Sequence, residues 1–405
     1  MTELKIIERE FIPVLFASDI NTYSMARAFH EAYGVRSVVM GKYISSPSYN
    51  SRIVDFRANE KIDQDDVFLD ALNTFAREHA DKKIIAVGCG DAYVALLGKH
   101  KGEYEPNVIA AYIDYDQMVE LAKKENFYKL CDQFGLDHPD TFVHRKEMGH
   151  DYTLPFDGPF ILKPSDSVMY WEYPFEGQNK VFKLKTREEL DRTIDKIYAA
   201  GYHDSLIIQD MIPGNDSYMR VLTCYSDHNG KVQLMSLGHV LLEEHTPHGI
   251  GNHAVILNEV NVDLMRGVKK FLEAIHYVGF SNFDIKYDER DGKYKFFEIN
   301  LRQGRSNFYV TGSGFNLARC LVEDYIEHKE MKLTIADKPH LWMVVPRLVA
   351  YHYIHNAKAV AEMKRVRRQY GCVNPLFYKG DLAPKRLKFV VRNYLGHFLK
   401  YFKYK

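Results

Sequence analysis

Three oxygen-bearing side chains near residue 290 are spaced for hard-cation chemistry. In FSNFDIKYD the polar residues Asn282, Asp284 and Lys286 alternate with apolar ones, and in KFFEINLRQ so do Glu298, Asn300 and Arg302. Successive side chains on a strand point to opposite faces, so each trio shares one face. Asp291-Gly292 is a turn signal between the two runs. A turn centred there sets Asp284 opposite Glu298 and Asn282 opposite Asn300, to within about one residue of register. Two carboxylates and an amide oxygen on one patch suit Mg²⁺ or Mn²⁺, with substrate phosphates and water completing the octahedron, and suit zinc poorly. Taken alone, the same alternation is that of any half-exposed hairpin.

The remaining polar signals say how a nucleotide would be held. Gly41-Lys42 and Gly230-Lys231 lack the flanking residues of a Walker A loop, and GCGDAY at 88–93 is only a fragment of a dinucleotide fingerprint. Lys129 sits in NFYKLCDQFG, and Lys163 ends the apolar run PFILKPS. LIIQDMIPGND at 206–216 is an apolar strand that breaks at Pro213-Gly214. A lone lysine is ordinarily a solvated surface residue; Lys163 differs in being embedded between apolar residues and a proline.

The order Lys, Lys, Q-D-x-I-x-G-x-D, D and E-x-N-x-R over roughly residues 10–330 resembles the ATP-grasp superfamily. That resemblance implies an ATP-grasp fold preceded by a parallel α/β domain, with ATP and Mg²⁺ (or Mn²⁺) as cofactors. It implies that Lys129 and Lys163 touch the ATP phosphates. It also implies that Gln209 and the backbone of Asp210 and Ile212 hold adenine, and that Asp216 takes the ribose hydroxyls. Asp284, Glu298 and Asn300 match the metal ligands, and Arg302 matches the arginine that stabilises the reacting oxyanion. The sequence departs from the superfamily in the loop after Lys163, SDSVMYWEYPFEGQNK, where only Gly177 is glycine. Ser165 and Ser167 would donate hydroxyls to the phosphates there instead.

DINTYSMARAFHEAYG, the KPS-to-PFEGQ loop and FEINLRQGRSNFYVTGSG further resemble the bacterial D-aspartate ligases of peptidoglycan synthesis. These are carboxylate–amine ligases acting through an acyl phosphate, with an amino acid and a UDP-linked peptidoglycan precursor as substrates. On that resemblance Arg302 and Lys163 are the catalytic residues. Arg305, Ser306, Asn307 and Arg220 are candidates to grip the carboxylates of aspartate, with Arg305 first because a guanidinium recognises a carboxylate bidentately. Asn21, in the turn Ser18-Asp19-Ile20-Asn21, reads equally as a substrate contact and as a helix cap. Another amino acid and amine pair, or a nucleotide-binding module without catalysis, are the alternatives.

These residues need elements to position them. IPVLFA reads as a buried strand, YSMARAFHEAYG as a helix capped by Asn21 or Thr22, and VRSVVMG and KIIAVGCGD as further strands about a helix near 65–80. Strand–helix alternation of this kind predicts a parallel α/β domain over 1–115. Residues 116–330 read as an α+β region, divided into a lid subdomain at 116–212 and a metal-bearing subdomain at 213–330. DQMVELAKKENFYKLCDQFG is its first helical stretch.

A chain of 405 residues, 46% hydrophobic and 27% charged, is long enough for two or three domains of a soluble globular protein. Its five cysteines are scattered without metal-site spacing. No apolar run nears the ~18–20 residues of a membrane span and no signal core opens the chain, so the cytoplasm is the expected compartment. No nucleic-acid partner is expected. His239, His245, His248 and His253 crowd one loop without helical ligand spacing, which favours a mobile polar loop over a zinc site.

The overall charge of zero hides an asymmetry. Residues 331–405 hold 16 Lys and Arg against 3 Asp and Glu, a net of +13, so residues 1–330 carry −13. This basic, aromatic extension ends in a helical pattern with Leu387, Val390, Val391, Tyr394, Phe398 and Phe402 on one face. Docking on the acidic body or recruitment of an anionic substrate is the favoured role of 385–405, and peripheral membrane contact is the alternative.

Overall fold

The computed structural model describes residues 6–404 apart from 247, 248 and 250; the side chains of Ser167 and Val168 also lie outside the described residues. The chain opens with β1 (Phe11–Phe16), α1 (Ile20–Tyr33), β2 (Ser37–Gly41), β3 (Val54–Ala58), α2 (Asp65–Glu78), β4 (Lys83–Gly88), α3 (Asp91–Lys99) and β5 (Val108–Ile109). The five strands pair in parallel in the order β3-β2-β1-β4-β5. Phe11, Leu15, Val39, Ile85 and Val87 are core residues of this sheet. Near-continuous apolar runs are what strands covered on both faces require. The chain grows outward from β1 in one direction and then returns to place β4 on the other side. The carboxyl ends of β1 and β4 therefore flank the topological switch point, where open α/β sheets bind ligands.

Next come α4 (Tyr115–Ala122), α5 (Lys124–Phe134), β6 (Thr141–His144), β7 (Phe160–Pro164), α6 (Ser167–Trp171), β8 (Phe182–Leu184), α7 (Arg187–Ala199) and β9 (Leu206–Asp210). The strands form an antiparallel sheet in the order β6-β9-β7-β8. Phe160, Leu162, Leu206 and Ile208 meet Leu190, Ile194 and Ile197 of α7 in one core. The single helical stretch expected at 116–135 is two helices, because Lys123 is extended (φ −73°, ψ 118°) and starts α5 afresh.

The remainder is β10 (Met219–Ser226), β11 (Val232–Glu243), β12 (His253–Glu259), α8 (Val262–Ala274), β13 (Gly279–Asp288), β14 (Lys293–Asn300), α9 (Phe308–Gly312), α10 (Leu317–Tyr325), β15 (Thr334–Ile335), β16 (Leu341–Met343), α11 (Arg347–Tyr353), α12 (Ala357–Tyr370) and α13 (Pro384–Lys403). The sheet order is β14-β13-β10-β11-β12-β16, with β15 on β11. Gly292 turns the β13–β14 hairpin at φ 72°, a conformation that costs glycine least.

Two compact units result: residues 1–118, 215–282 and 300–405 in the first, 119–214 and 283–299 in the second. The sequence-based boundaries at 115/116 and 330/331 compare with breaks after 118, 214, 282 and 299. The basic C-terminal stretch belongs to the first unit. Its helix α13 buries Arg386, Val390 and Tyr401, so the docked face shares Val390 with the expected apolar stripe and leaves Val391, Phe398 and Phe402 of that stripe exposed. The Arg386 and Asp381 side chains are fully buried, with Nε 3.2 Å from Oδ2. The guanidinium lies 4.1 Å over the Tyr23 ring and donates to the Pro47 carbonyl. Asp381 accepts from Tyr23 Oη (2.9 Å), Ser51 Oγ (2.6 Å) and the Arg52 amide (2.8 Å).

Asp381→Ala strands a buried guanidinium and should cost about 3–5 kcal/mol in urea unfolding, whereas breaking the exposed Lys42–Asp63 pair should cost under ~1 kcal/mol. Similar small losses would mean that α13 is not anchored this way.

Candidate active site

Strand parity builds the polar centre of the second unit. On β7, Phe160 and Leu162 face the α7 core, which turns Ile161 and Lys163 to the opposite face. On β9, Ile207 and Gln209 lie opposite Lys163 and Ile161 and share that face, and Thr141 of β6 is paired with Gln209. Lys163 is buried at 8% exposure, and its Nζ donates to Tyr128 Oη at 2.8 Å. It also lies 5.5 Å and 5.8 Å from the Tyr128 and Phe297 ring centroids. Burial holds the Tyr128 hydroxyl well above its usual range, so it keeps its proton and donates to the Phe297 carbonyl at 2.8 Å.

Three lysines act on one carboxylate here. Burial would raise the Glu298 carboxyl, but Lys124, Lys180 and Lys163 outweigh it, and a hydrogen bond shared with Asp284 adds to their effect. Glu298 is held at about 2. Burial, then the neighbouring Lys124 charge, lowers Lys163 to about 7 against the pull of Glu298. Lys124 is likewise lowered by burial, with Glu298 opposing. A charge taken out of water costs several kcal/mol and persists only beside partners. Lys124, Lys163 and Lys180 converge on Glu298, and an anionic ligand placed among them would favour their charged forms. Glu298, kept ionised, with the Asp284 carboxyl hydrogen-bonded to it, also offers the oxygen donors that a divalent cation takes.

The structure does not bring Lys129 to this cluster. Lys124, Tyr128 and Cys131 lie at positions i, i+4 and i+7 of α5 and share its buried face. Lys129 falls off that face, is two-thirds exposed, and pairs with Glu125 at 2.9 Å. Gln209 is buried and donates to Thr141 Oγ1 at 2.8 Å. At the strand end the Asp210 amide donates to the Asp140 carbonyl, and its carboxylate pairs with Arg290. Lys286 Nζ donates to the carbonyls of Ile212 (3.0 Å) and Gly214 (2.9 Å). Ser165 is buried, with its amide on the Ser205 carbonyl; the Ser167 side chain lies outside the described residues.

The first unit has its own polar centre at the switch point. Asp19 caps α1, accepting from the Asn21 and Thr22 amides at 3.0 Å and 3.2 Å, so neither Asn21 nor Thr22 is the cap. Asn21 is buried instead. It donates to the Cys89 carbonyl at the end of β4 (2.8 Å) and to the Gln303 carbonyl (3.4 Å), and accepts from Asn307 Nδ2 (2.6 Å). Arg302 grips Asp91, Nε to Oδ1 at 2.6 Å and Nη2 to Oδ2 at 3.2 Å, while its Nη1 donates to the Gln303 carbonyl. Asn300 Nδ2 donates to the Asn282 carbonyl at 3.4 Å.

Arg305 Nη2 pairs with Glu244 at 2.9 Å, and its Nη1 is buried without a hydrogen-bond partner among the described residues. An unfilled buried donor on a guanidinium suits a carboxylate ligand. Ser306 Oγ lies 3.4 Å from His253 Nδ1. Arg220 is committed to Glu259 through Nε (2.6 Å) and to the Ser217 and Met219 carbonyls through Nη1. Asp216 accepts the Glu243 amide at 2.9 Å.

The histidines do not share one loop: His239 is within β11 and His253 opens β12, and His248 lies outside the described residues. Among the described residues no group of three His, Cys, Asp or Glu is placed to hold a metal. Lys124, Tyr128, Lys180, Lys286, Asp91, Gln303 and Glu244 were given no role by the sequence reading. Lys124 and Tyr128 carry a readable signal, the i, i+4 spacing with Cys131. Asp91 follows a strand-to-glycine turn. Glu244 carries none.

No family model matches the chain. It is 43% identical to a D-aspartate ligase of Enterococcus faecium (strain Aus0004) over 410 residues, 97% of each chain. Among solved structures it is similar to the biotin carboxylase domain of Hydrogenobacter thermophilus 2-oxoglutarate carboxylase, a MgADP, ADP and bicarbonate complex. The TM-score is 0.61 at 15% identity, over 82% of this chain and 74% of that one. It is also similar to an L-amino acid ligase from Bacillus licheniformis, with a TM-score of 0.53 at 14% identity over 78% and 75%.

A pH dependence follows from the buried imidazoles. Burial, aided by the Arg305 charge, lowers His253 to about 4, and burial with Arg220 does the same to His239. Below the ordinary imidazole pKa of about 6.5 the unfolded chain takes up protons that the folded chain refuses. Stability should therefore fall as pH drops from about 6.5 towards 4. In pH-dependent urea unfolding, His253→Asn should reduce that slope by about one proton, ~1.4 kcal/mol per pH unit, relative to wild type. An unchanged slope would mean that His253 protonates freely in the fold.

Proposed function

The chain belongs to the D-aspartate ligase family of carbon–nitrogen ligases built on the ATP-grasp fold, and we propose that it uses ATP to join the β-carboxylate of D-aspartate to the lysine ε-amine of UDP-MurNAc-pentapeptide. The observation that carries this reading is the Glu298 carboxylate set among Lys124, Lys163 and Lys180. A polyphosphate would find three lysines there, and a divalent ion would find Glu298 and Asp284, with Asn300 two residues further along β14.

A carboxylate is a poor electrophile. In the first step a carboxylate oxygen of the donor attacks the γ-phosphorus of ATP and ADP leaves. In the second, the amine attacks the acyl carbon, inorganic phosphate leaves and the nitrogen loses a proton. Phosphoryl transfer calls mainly for positioning and charge neutralisation. Lys163, fixed by Tyr128, and Lys124 lie against the phosphates; Lys124 takes the role that the sequence reading gave to Lys129. Asp284, Glu298 and Asn300 would hold Mg²⁺ or Mn²⁺, which would supply charge neutralisation at the transferred group. Gln209 and the backbone of Asp210 and Ile212 receive adenine, Asp216 receives the ribose, and Ser165 and Ser167 assist the phosphates. Arg302, oriented by Asp91, holds the oxyanion of the tetrahedral intermediate. Arg305 offers Nη1 to the second carboxylate of aspartate, with Ser306 and Asn307 following it in sequence and Asn21 accepting from Asn307. Arg220 supports β10 and the turn before it. The cytoplasm is the proposed place of action.

Phosphate release by the purified protein, with D-aspartate and UDP-MurNAc-pentapeptide, should exceed that with L-aspartate and vanish in Glu298→Gln. Lys124→Met should raise the KM for ATP more than about tenfold, while Lys129→Met should leave it within about twofold. Normal turnover in Glu298→Gln, or equal effects of the two lysine substitutions, would remove these assignments.

A further inference from the structure

Helix α13 is apolar on two sides, one buried on the first unit and the other largely exposed. Arg386, Val390 and Tyr401 face the first unit, and Phe389 and Phe377 extend the packing, on Tyr49 and against Tyr394. Tyr401 Oη donates to the Glu243 carbonyl at 2.6 Å, so the far end of the helix is fastened as well. At 100° per residue the docked positions cluster on one side, while Val391, Leu395, Phe398 and Leu399 fall on another, about 130° round the axis. These four are 37%, 53%, 41% and 75% exposed, and the exposed Phe402 continues the line one turn on. The spacing i, i+4, i+7, i+8 is that of a helix face meant to be covered.

Charge decides what covers it. Lys385, Lys388, Arg392, Lys400 and Lys403 are all exposed on the same helix, and no acidic residue follows Asp381. A second copy of the chain would bring the same positive charge against itself. A polyanion without an apolar phase would leave the leucines and phenylalanines in water. An anionic lipid surface satisfies both: headgroups meet the lysines and acyl chains meet the apolar line. No helix among the described residues is long and apolar enough to cross a membrane, so the contact is peripheral. We propose that the outer face of α13 seats this protein on anionic membranes, its inner face remaining docked on the first unit.

The full-length protein should co-float with vesicles containing phosphatidylglycerol and not with pure phosphatidylcholine vesicles, and added salt should release it. Combining Leu395→Glu, Phe398→Glu and Leu399→Glu should cut vesicle binding by about tenfold or more with the melting temperature unchanged, since these side chains lie outside the docked face. Lys388→Gln with Arg392→Gln should weaken the preference for anionic vesicles and lower its salt sensitivity. Absence of binding to phosphatidylglycerol vesicles, or equal binding by wild type and the triple variant, would overturn the proposal. So would a concentration-dependent dimer in sedimentation that the triple variant abolishes.

Discussion

A carboxylate withdrawn from water stays charged only if cations stand close enough to outweigh its lost hydration. Glu298 meets that condition through Lys124, Lys180 and Lys163. The reverse holds for the lysines: Lys163 is drawn down to about 7 by burial and by Lys124, and Glu298 is what resists. Neither sign of charge is comfortable without the other. The second unit is arranged around this dependence. Its antiparallel sheet turns Lys163 away from the α7 core, α5 turns Lys124 and Tyr128 inward, and the β13–β14 hairpin presents Glu298 and Asp284.

Much of this was legible because it rests on short-range rules. Strand parity and the Asp291-Gly292 turn group Asp284 with Glu298 without reference to anything distant, and the apolar run ending in Lys163-Pro164 marks a lysine that burial will reach. Helix phase was harder. LAKKENFYKLCDQFG offers Lys123, Lys124 and Lys129 within one turn or two, and only the packing of Tyr128 and Cys131 selects Lys124. The break at Lys123 depends on backbone conformation and left no glycine or proline to announce it. Asn21 sat beside Asp19, another competent cap, and local rules could not choose between them.

The C-terminal helix shows the other limit. Its two apolar sides merge into one broad stripe when read as a pattern. Which side docks is decided by Asp381, Tyr23, Ser51 and Arg52, contacts that span more than 300 residues of chain. The same helix ties to the Glu243 carbonyl through Tyr401, next to the Glu244 that pairs with Arg305. Basic composition alone did not separate a docking element from a surface-seeking one; in this fold α13 docks one face and leaves an apolar line exposed on another.

The assignment of Glu298 and its lysines to a phosphate and metal site is tested most directly by a crystal structure of the protein with ADP and Mn²⁺, the metal located by its anomalous signal. The expected map places Mn²⁺ in direct coordination with Glu298 and puts the Lys163 and Lys124 ammonium groups on phosphate oxygens, with Lys129 still on Glu125. Manganese remote from Glu298, or Lys129 on the phosphates in place of Lys124, would contradict it.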